Sequence, residues 1–285
     1  MQWYPAPAKL NLFLHVLGRR DDGYHLLQTV FRLIDRSDRV GIEVTRAGEI
    51  RRIDETPGVE PESDLCLRAA RLLREAAIAR LSPEAATLGV EIGLEKNLPI
   101  GGGLGGGSSD AATVLLVLNR LWGVGFAREE LMALGLQLGA DVPVFLFGES
   151  ALGEGVGERL TPLSLAPAWY LVLVPQVSVS TKEIFSSGAL TRDTKPLKML
   201  PFLPLSGKND LQVVATALYP AVAEHLEWLS KYGDARMTGS GACVFAEFAT
   251  EARARAVEAM LQGGMRGFVA RGLDRHPLHQ WAEGG

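Results

Sequence analysis

Cysteine is nearly absent from this sequence, with Cys66 and Cys243 as the only two among 285 residues. Two thiols so far apart provide neither a disulfide framework nor a set of four zinc ligands. No histidine motif indicates an activated thiol, so we interpret Cys243 as a small buried hydrophobe. This use of cysteine favours a reducing compartment, and we predict a cytoplasmic protein.

Long apolar runs and an excess of positive charge are also missing. The longest apolar stretch, residues 131–147, is interrupted by Gln137, Asp141 and Pro143, whereas a membrane span needs roughly 18 uninterrupted apolar residues. The N-terminal residues lack the basic segment and apolar core of a signal peptide. A formal net charge of −4 provides no basic footprint for nucleic acid. We therefore expect no membrane and no nucleic-acid partner, and the sequence leaves the oligomeric state open.

Metal ligands do not cluster along the chain. His225, His276 and His279 have no partnering ligand set, and structural metal sites need several converging ligands. The sequence therefore predicts no protein-held metal, and we interpret residues 276–279 as a surface tail.

Apolar periodicity alternates between strand and helix along the whole chain, which predicts an α+β fold. Asp64 precedes one helical pattern at the position of an N-cap, and Ser108 or Ser109 does so for another. Strands are predicted at 10–16, 40–44, 90–94, 170–174, 236–238, 242–248 and 267–271. Helices are predicted at 65–78, 110–122, 129–138, 209–218, 221–231 and 251–261. The glycine-containing residues 153–157 are predicted to be a flexible boundary between two halves.

A cluster of six glycines lies between the strand at 90–94 and the helix that follows. Glycine lets backbone N–H groups approach an anion without interference from a Cβ atom, and the N-terminus of the next helix attracts negative charge. Phosphate is the expected occupant. A flexible linker is the alternative interpretation, but linkers rarely stand between a well-patterned strand and helix.

The class of phosphate site follows from what surrounds these glycines. A Walker loop needs lysine before its Ser or Thr, and here Gly107 is followed directly by Ser108. Gly101, Gly103 and Gly106 fit the dinucleotide-binding pattern, but a second helix follows instead of a strand that ends in an acidic residue. The His-Arg-Asp and Asp-Phe-Gly motifs of protein kinases are absent from the sequence.

Residues 99–109 resemble the Pro-x-x-x-Gly-Leu-Gly-x-Gly-Ser-Ser loop of the GHMP kinase superfamily. Residues 7–12 with 22–25, residues 139–143 and residues 237–242 agree with one branch of it. That branch phosphorylates the 2-hydroxyl of a diphosphocytidyl-methylerythritol in the non-mevalonate route to isopentenyl diphosphate. The resemblance implies a two-domain GHMP-kinase fold, with an ATP-binding domain at 1–155, a substrate domain at 156–285 and the active site in the cleft between them.

The resemblance also implies the roles of individual residues. Asp141 is the expected base, and Lys9 is the cation that orients it and the acceptor hydroxyl. Without the resemblance, Asp141 is equally well a turn or cap residue and Lys9 a solvated edge residue. ATP is the phosphoryl donor with Mg²⁺, and Ser108 supplies its hydroxyl to Mg²⁺ or to a phosphate oxygen, or caps the helix. The residues expected at the nucleotide are Asp64, Lys96, Pro99, Ile100, Gly101, Gly102, Gly103, Leu104, Gly105, Gly106, Gly107, Ser108 and Ser109.

A small cytidylyl molecule is the implied acceptor. Tyr24 and Phe185 are expected to sandwich its cytosine and His25 to hydrogen-bond it, with Asn11 and Thr181 as further contacts. Core packing is the competing role for Phe185. Residues 239–241 are expected to form a tight turn over the triphosphate, against the alternative of a plain hairpin.

Two other functions share the implied fold. Homoserine and mevalonate kinases act on acceptors without a base to stack, which Tyr24, His25 and Phe185 argue against. A catalytically silent sensor is a function of a different class, and the intact Lys9 and Asp141 argue against it.

Overall fold

The computed structural model describes residues 1–54, 62–197 and 207–283. Its strands are β1 (Gln2–Arg19), β2 (His25–Thr45), β3 (Ile50–Arg52), β4 (Gly89–Glu95), β5 (Ala151–Gly155), β6 (Arg159–Pro162), β7 (Trp169–Leu173), β8 (Arg236–Met237), β9 (Val244–Phe248) and β10 (Gly267–Leu273). Its helices are α1 (Leu65–Arg80), α2 (Gly106–Leu121), α3 (Arg128–Leu138), α4 (Val142–Phe147), α5 (Thr181–Ser186), α6 (Gln212–Leu218), α7 (Pro220–Ser230), α8 (Glu251–Glu258) and α9 (His279–Glu283). Within the described ranges, no helix is both long and apolar enough to cross a membrane.

One mixed sheet runs through the described chain in the order β3-β4-β2-β10-β7-β9-β8. β1 and β5 also pair with β2, and β6 extends the sheet from β5. The long β2 is therefore the element that joins the strands of the N-terminal half to β7, β9 and β10. The predicted α+β class is confirmed.

In the described ranges, three apolar clusters form the core. The first lies between α1 to α4 and the strands β1, β2 and β4, and the second lies between β7, β9 and α5 to α8. The third connects them and includes Leu98, just before the glycine cluster, and Leu104, in the middle of it, packed with Tyr170 and Phe245. Burial of these side chains fixes the glycine segment on the sheet, because apolar area removed from water stabilises a contact at about 25 cal/mol per Å².

Contacts between the halves are extensive. Leu14 and Val16 of β1 pack in the second cluster, and Leu278 packs in the first. The division at residue 155 stays a prediction.

The helix starts show what local patterns can and cannot decide. Asp64 caps α1 as predicted, since its Oδ1 accepts hydrogen bonds from the N–H groups of Cys66 at 2.8 Å and Leu67 at 3.2 Å. The predicted serine cap of α2 is wrong. Gly105, at φ 72°, is its N-cap, so Ser108 and Ser109 lie inside the first turn. Glycine decides this start because it adopts the left-handed conformation at little cost.

Two further expectations are corrected. Residues 153–157 are not a flexible segment but belong to the β5–β6 hairpin, in which Gly155 ends β5 and Gly157 lies in the turn, both at positive φ. Residues 276–279 are not a surface tail. His276 is 2% exposed, and burial lowers its pKa to about 3. This segment leads into α9, where the ring of Trp281 packs against that of Tyr4 with ring centroids 5.3 Å apart.

Candidate active site

The glycine segment, residues 101–107, forms one wall of a pocket of about 340 Å³, which we call the glycine pocket. Gly101, Gly103 and Gly105 have φ values of 70°, 77° and 72°, which favour glycine strongly. At Gly103 a Cβ atom would also lie 2.2 Å from the Thr238 carbonyl oxygen. The remaining wall is provided by Arg52, Ser63, Asp64, Leu65, Cys66, Leu94, Lys96, Pro99, Ile100, Leu104, Ser108 and Asp110.

The first turn of α2 opens into this pocket. A helix leaves the N–H groups of its first turn without intrahelical acceptors, and the dipole adds positive potential there. Ser108 lies in that turn, and its hydroxyl has no hydrogen-bond partner among the described residues. Ser109 instead donates to the Pro7 carbonyl oxygen at 2.7 Å and is fully buried. The turn can therefore receive phosphate through its backbone and Ser108, while Ser109 anchors α2 to β1.

Lys96 is held beneath the same turn by two carboxylates. Its Nζ donates to Asp38 Oδ2 and, at 2.8 Å, to Asp110 Oδ2. Asp38 also accepts from the N–H groups of Asn97 and Leu98, which fixes the chain that enters the glycine segment. Burial raises the pKa of Asp110 to about 7, although Lys96 lowers it. Lys96 lines the pocket and is 21% exposed, but its charge is already balanced, so its predicted contact with the nucleotide stays a prediction.

Asp64 is likewise engaged within the protein. Besides capping α1, its Oδ2 accepts from Arg52 Nη1 at 2.7 Å, and both side chains are largely buried. Sequence reasoning missed Arg52, which places a guanidinium on the pocket wall from β3. The only sequence signal was a pair of arginines in a polar stretch, and that pattern is typical of any surface loop.

Lys9 and Asp141 form an ion pair in a pocket. The Lys9 Nζ lies 3.3 Å from Asp141 Oδ2, with Lys9 2% exposed and Asp141 39% exposed. Lys9 also donates to Asn11 Oδ1 at 2.6 Å and to the Gly103 carbonyl oxygen at 2.9 Å. Lys9 is therefore not a solvated edge residue, because all three of its neighbours satisfy a buried ammonium group.

The elements that carry this pair explain its geometry. Lys9 and Asn11 are two residues apart on β1 and share one face of the strand. Asn11 is held in turn, since its Nδ2 donates to Thr29 Oγ1 at 2.9 Å. Asp141 occupies the N-cap position of α4 but its side chain makes no capping hydrogen bond. An ordinary capping role for Asp141 is therefore wrong, and its carboxylate faces Lys9 while 39% of the side chain stays exposed.

A second turn closes against the glycine segment. Gly239 and Gly241 have positive φ, and the Gly241 N–H donates to the Thr238 carbonyl oxygen at 3.0 Å. The Thr238 Oγ1 donates to the Gly103 carbonyl oxygen at 3.3 Å. The turn joins the paired strands β8 and β9, so both interpretations of residues 239–241 describe it, and its contact with a triphosphate stays a prediction.

A further pocket, of about 610 Å³, is lined by Tyr24, His25, Thr181 and Phe185, and we call it the aromatic pocket. The structure thus brings together four of the five residues predicted to contact the cytidylyl acceptor, and the fifth, Asn11, lies beside Lys9 instead. Phe185 packs against His25, with ring centroids 4.9 Å apart, while Tyr24 is 62% exposed at the rim. One side of Phe185 also packs on the second apolar cluster, so it serves the core and the pocket at once.

A third pocket connects these two. It is lined by Lys9, Asn11 and Asp141, shares Gly103 and Ser108 with the glycine pocket, and shares Thr181 and Phe185 with the aromatic pocket. The buried ammonium and its carboxylate therefore stand between a phosphate-binding segment and an aromatic cavity. That arrangement suits transfer of a phosphoryl group from one bound molecule to another, because the reaction depends on positioning and charge stabilisation.

Valine at Gly107 tests the assignment of the phosphate segment. The added Cβ would meet only Leu65 Cδ1, at 3.6 Å, and Gly107 has no positive φ, so the fold is expected to tolerate it. At Gly106 the Cβ would instead approach Asp38 and Lys96. We expect Gly107→Val to weaken ATP binding by roughly tenfold or more, because the side chain occupies space that the backbone offers to phosphate.

Titration calorimetry with ATP measures this effect, and thermal unfolding checks the fold. Gly188→Val is the matched control, since nothing lies within 4 Å of its Cβ position and Gly188 is outside the glycine pocket. Unchanged ATP affinity in Gly107→Val would contradict the assignment.

Comparison with known proteins agrees with this geometry. The family model described as GHMP kinases N terminal domain matches residues 64–149, and the one described as GHMP kinases C terminal matches residues 198–266. A protein of Nitrosospira multiformis named 4-diphosphocytidyl-2-C-methyl-D-erythritol kinase is 59% identical over 283 residues, covering 98% of this chain and 94% of its own length.

Solved structures give the same result. One described as 4-(cytidine 5'-diphospho)-2C-methyl-D-erythritol kinase superposes with a TM-score of 0.77 at 35% identity, covering 95% of this chain and 99% of its own. A mevalonate kinase superposes with a TM-score of 0.66 at 16% identity, covering 96% of this chain and all of its own. The latter likeness concerns the fold alone.

Proposed function

This chain belongs to the 4-diphosphocytidyl-2-C-methyl-D-erythritol kinases of the GHMP kinase family, and we propose that it performs their reaction. It transfers the γ-phosphoryl group of ATP to the 2-hydroxyl of 4-diphosphocytidyl-2-C-methyl-D-erythritol and releases ADP. This step belongs to the non-mevalonate route to isopentenyl diphosphate. The observation that carries the proposal is the continuous cleft, in which the Lys9–Asp141 pair lies between the glycine segment and the aromatic pocket.

The acceptor hydroxyl loses its proton to Asp141 as its oxygen attacks the γ-phosphorus. The bond between that phosphorus and the β–γ bridging oxygen breaks, and ADP leaves with the electron pair. Lys9 holds the Asp141 carboxylate in place and offers positive charge to the transferred group. Asn11 orients Lys9 through its 2.6 Å hydrogen bond. Preorganised charge of this kind needs no rearrangement during the reaction.

Mg²⁺ fits this site as a companion of the nucleotide. Groups of three or more histidine, cysteine, aspartate or glutamate side chains able to hold a metal are absent from the described residues. Magnesium typically uses few protein ligands and keeps phosphate oxygens and water, and the unpartnered Ser108 hydroxyl is a suitable oxygen ligand. When bound, the ion neutralises phosphate charge. The buried thiols of Cys66 and Cys243 are compatible with the cytoplasmic location that we propose.

A substrate panel tests the reaction. The pure protein is incubated with Mg-ATP and, separately, with 4-diphosphocytidyl-2-C-methyl-D-erythritol, mevalonate or homoserine, and the products are detected by mass spectrometry. We expect one phosphorylated product, from the cytidylyl acceptor. Phosphorylation of mevalonate or homoserine instead would identify that molecule as the acceptor. No phosphorylated product from any of the three would favour a catalytically silent sensor.

Phe185→Ala tests the base-binding pocket. An aromatic contact contributes about 0.5–1.5 kcal/mol beyond burial, so the variant should bind the acceptor several-fold more weakly while its ATP affinity stays unchanged. His25→Ala should also weaken acceptor binding, because a buried base edge without its partner costs roughly 1–3 kcal/mol. Since the two rings touch, their effects are not expected to add.

Competition by CMP and CDP against the acceptor measures these effects. Phe126→Ala is the matched control, because Phe126 packs on the first apolar cluster and lies outside the aromatic pocket. It should lower stability but leave acceptor affinity unchanged. Weakened ATP binding in Phe185→Ala, or no competition by either nucleotide, would contradict the cytidylyl assignment.

A further inference from the structure

Arg192 joins the two walls of the aromatic pocket through one guanidinium. Its Nε donates to His25 Nε2 at 3.1 Å. Its Nη2 donates to the carbonyl oxygens of Phe185 at 2.9 Å and Ser187 at 2.8 Å, and its Nη1 donates to that of Leu190 at 3.1 Å. Four donor contacts fix this side chain between the end of α5 and the start of β2. Lysine could not make all of these contacts, because its ammonium group lacks the planar, spread-out N–H donors of a guanidinium.

The donor character of arginine determines where the His25 proton resides. A guanidinium has N–H donors and no acceptor, so the His25 Nε2 that receives its hydrogen bond carries no proton. A neutral imidazole then bears its proton on Nδ1. Among the described residues, Nδ1 has no hydrogen-bond partner. His25 lines the pocket, and its free ring nitrogen is therefore a donor.

The charges around His25 support the neutral form. Burial, followed by the positive charges of Arg192 and Arg19, lowers the pKa of His25 below its usual value. The imidazole is therefore uncharged at neutral pH, and its two nitrogens have distinct roles.

From this geometry we propose that Arg192 is a positioning residue that fixes the Nδ1–H tautomer of His25 and thereby selects cytosine over uracil in the acceptor. The inference rests on the proposed function, since it assumes that the pocket holds the acceptor's base. Cytosine presents N3 and O2 as acceptors, whereas the N3 of uracil carries a hydrogen and donates. A fixed Nδ1–H donor pairs with the first base and opposes the N–H group of the second.

Competition binding of CDP and UDP tests this selection. The wild-type protein should bind CDP roughly tenfold or more tightly than UDP, because a mispaired buried donor is costly. In Arg192→Met the imidazole is free to change tautomer, so the CDP to UDP preference should fall to within about threefold while ATP affinity is unchanged. Arg36→Met, an exposed arginine outside the pocket, is the matched control and should keep the wild-type preference.

The same measurement in a His25→Ala background separates positioning from support of the pocket wall. If Arg192 acts through His25, adding Arg192→Met to His25→Ala should leave the CDP to UDP ratio unchanged. A merely structural Arg192 would weaken both nucleotides equally in both backgrounds and leave the ratio of the single variant at its wild-type value. That outcome would overturn the proposal.

Nitrogen NMR tests the tautomer directly in the wild-type protein, and a pocket variant is needed only to assign the resonances. With ¹⁵N-labelled histidine, the resonances missing in His25→Gln identify His25, and their shifts distinguish a protonated Nδ1 from a protonated Nε2. We expect the proton on Nδ1, and a protonated Nε2 would overturn the proposal. Failure of the wild-type protein to bind either nucleotide would instead count against the proposed function, so the two failures are distinguishable.

Discussion

Asparagine at Asp141 is expected to lower turnover by about 10²- to 10⁴-fold, the usual contribution of a positioned general base. The substitution keeps the size and shape of the side chain but removes its ability to accept the hydroxyl proton. ATP binding should be retained, since Asp141 does not line the glycine pocket. The fold should persist as well, because Lys9 keeps Asn11 and the Gly103 carbonyl as acceptors. Steady-state turnover and ATP calorimetry on one preparation measure both effects.

Asp35→Asn is the matched control for this variant. Asp35 has the same exposed fraction as Asp141, 39%, and also lies near a cation, Arg271. It lies outside the three pockets of the cleft, so its turnover should remain within about twofold of the wild type, as surface substitutions usually do. Near wild-type turnover in Asp141→Asn would remove Asp141 from the mechanism.

Lys9→Met is expected to reduce turnover on the order of 10²- to 10³-fold, comparable to the loss of one preorganised charge-stabilising donor. Methionine retains the buried stem, which alanine would replace with a cavity. Lys208→Met is the matched control, because Lys208 also pairs with an aspartate, at 3.0 Å, but is exposed. Its turnover should be unchanged.

The double variant Lys9→Met/Asp141→Asn tests whether the pair acts as one unit. Groups that act together give non-additive losses, so the double variant should lose less than the product of the two single losses. Turnover at saturating substrates, compared across the wild type, the two single variants and the double variant, gives the coupling free energy between Lys9 and Asp141. Fully multiplicative losses would indicate that Lys9 and Asp141 act independently.

Several features of the site could be predicted from short stretches of chain. The strand, glycine segment and helix at residues 89–121 follow from local alternation, glycine content and helix propensity. The N-cap at Asp64 is likewise a local property, because its acceptor oxygen and the two N–H groups that donate to it lie within three residues. Such features need no knowledge of the remaining fold.

Other features had too little local signal. Helices α4 and α5 span only six residues each, too short for a clear helical period. The segment at 276–279 was misjudged because only the partners of Leu278 and Trp281 in the first cluster make it a buried element. Asp38 and Asp110 give no sequence sign that they share Lys96.

The sequence by itself determined the class of chemistry, since glycine geometry, a helix start and the flanking motifs are written in consecutive residues. Only the tertiary structure decided which groups meet: Lys9 with Asp141, and Arg192 with His25, 167 positions away. The physical reason is that burial and hydrogen bonding of these charges depend on how β1, β2, α4 and the chain after α5 pack together. Local propensity carries no information on contacts between such distant segments.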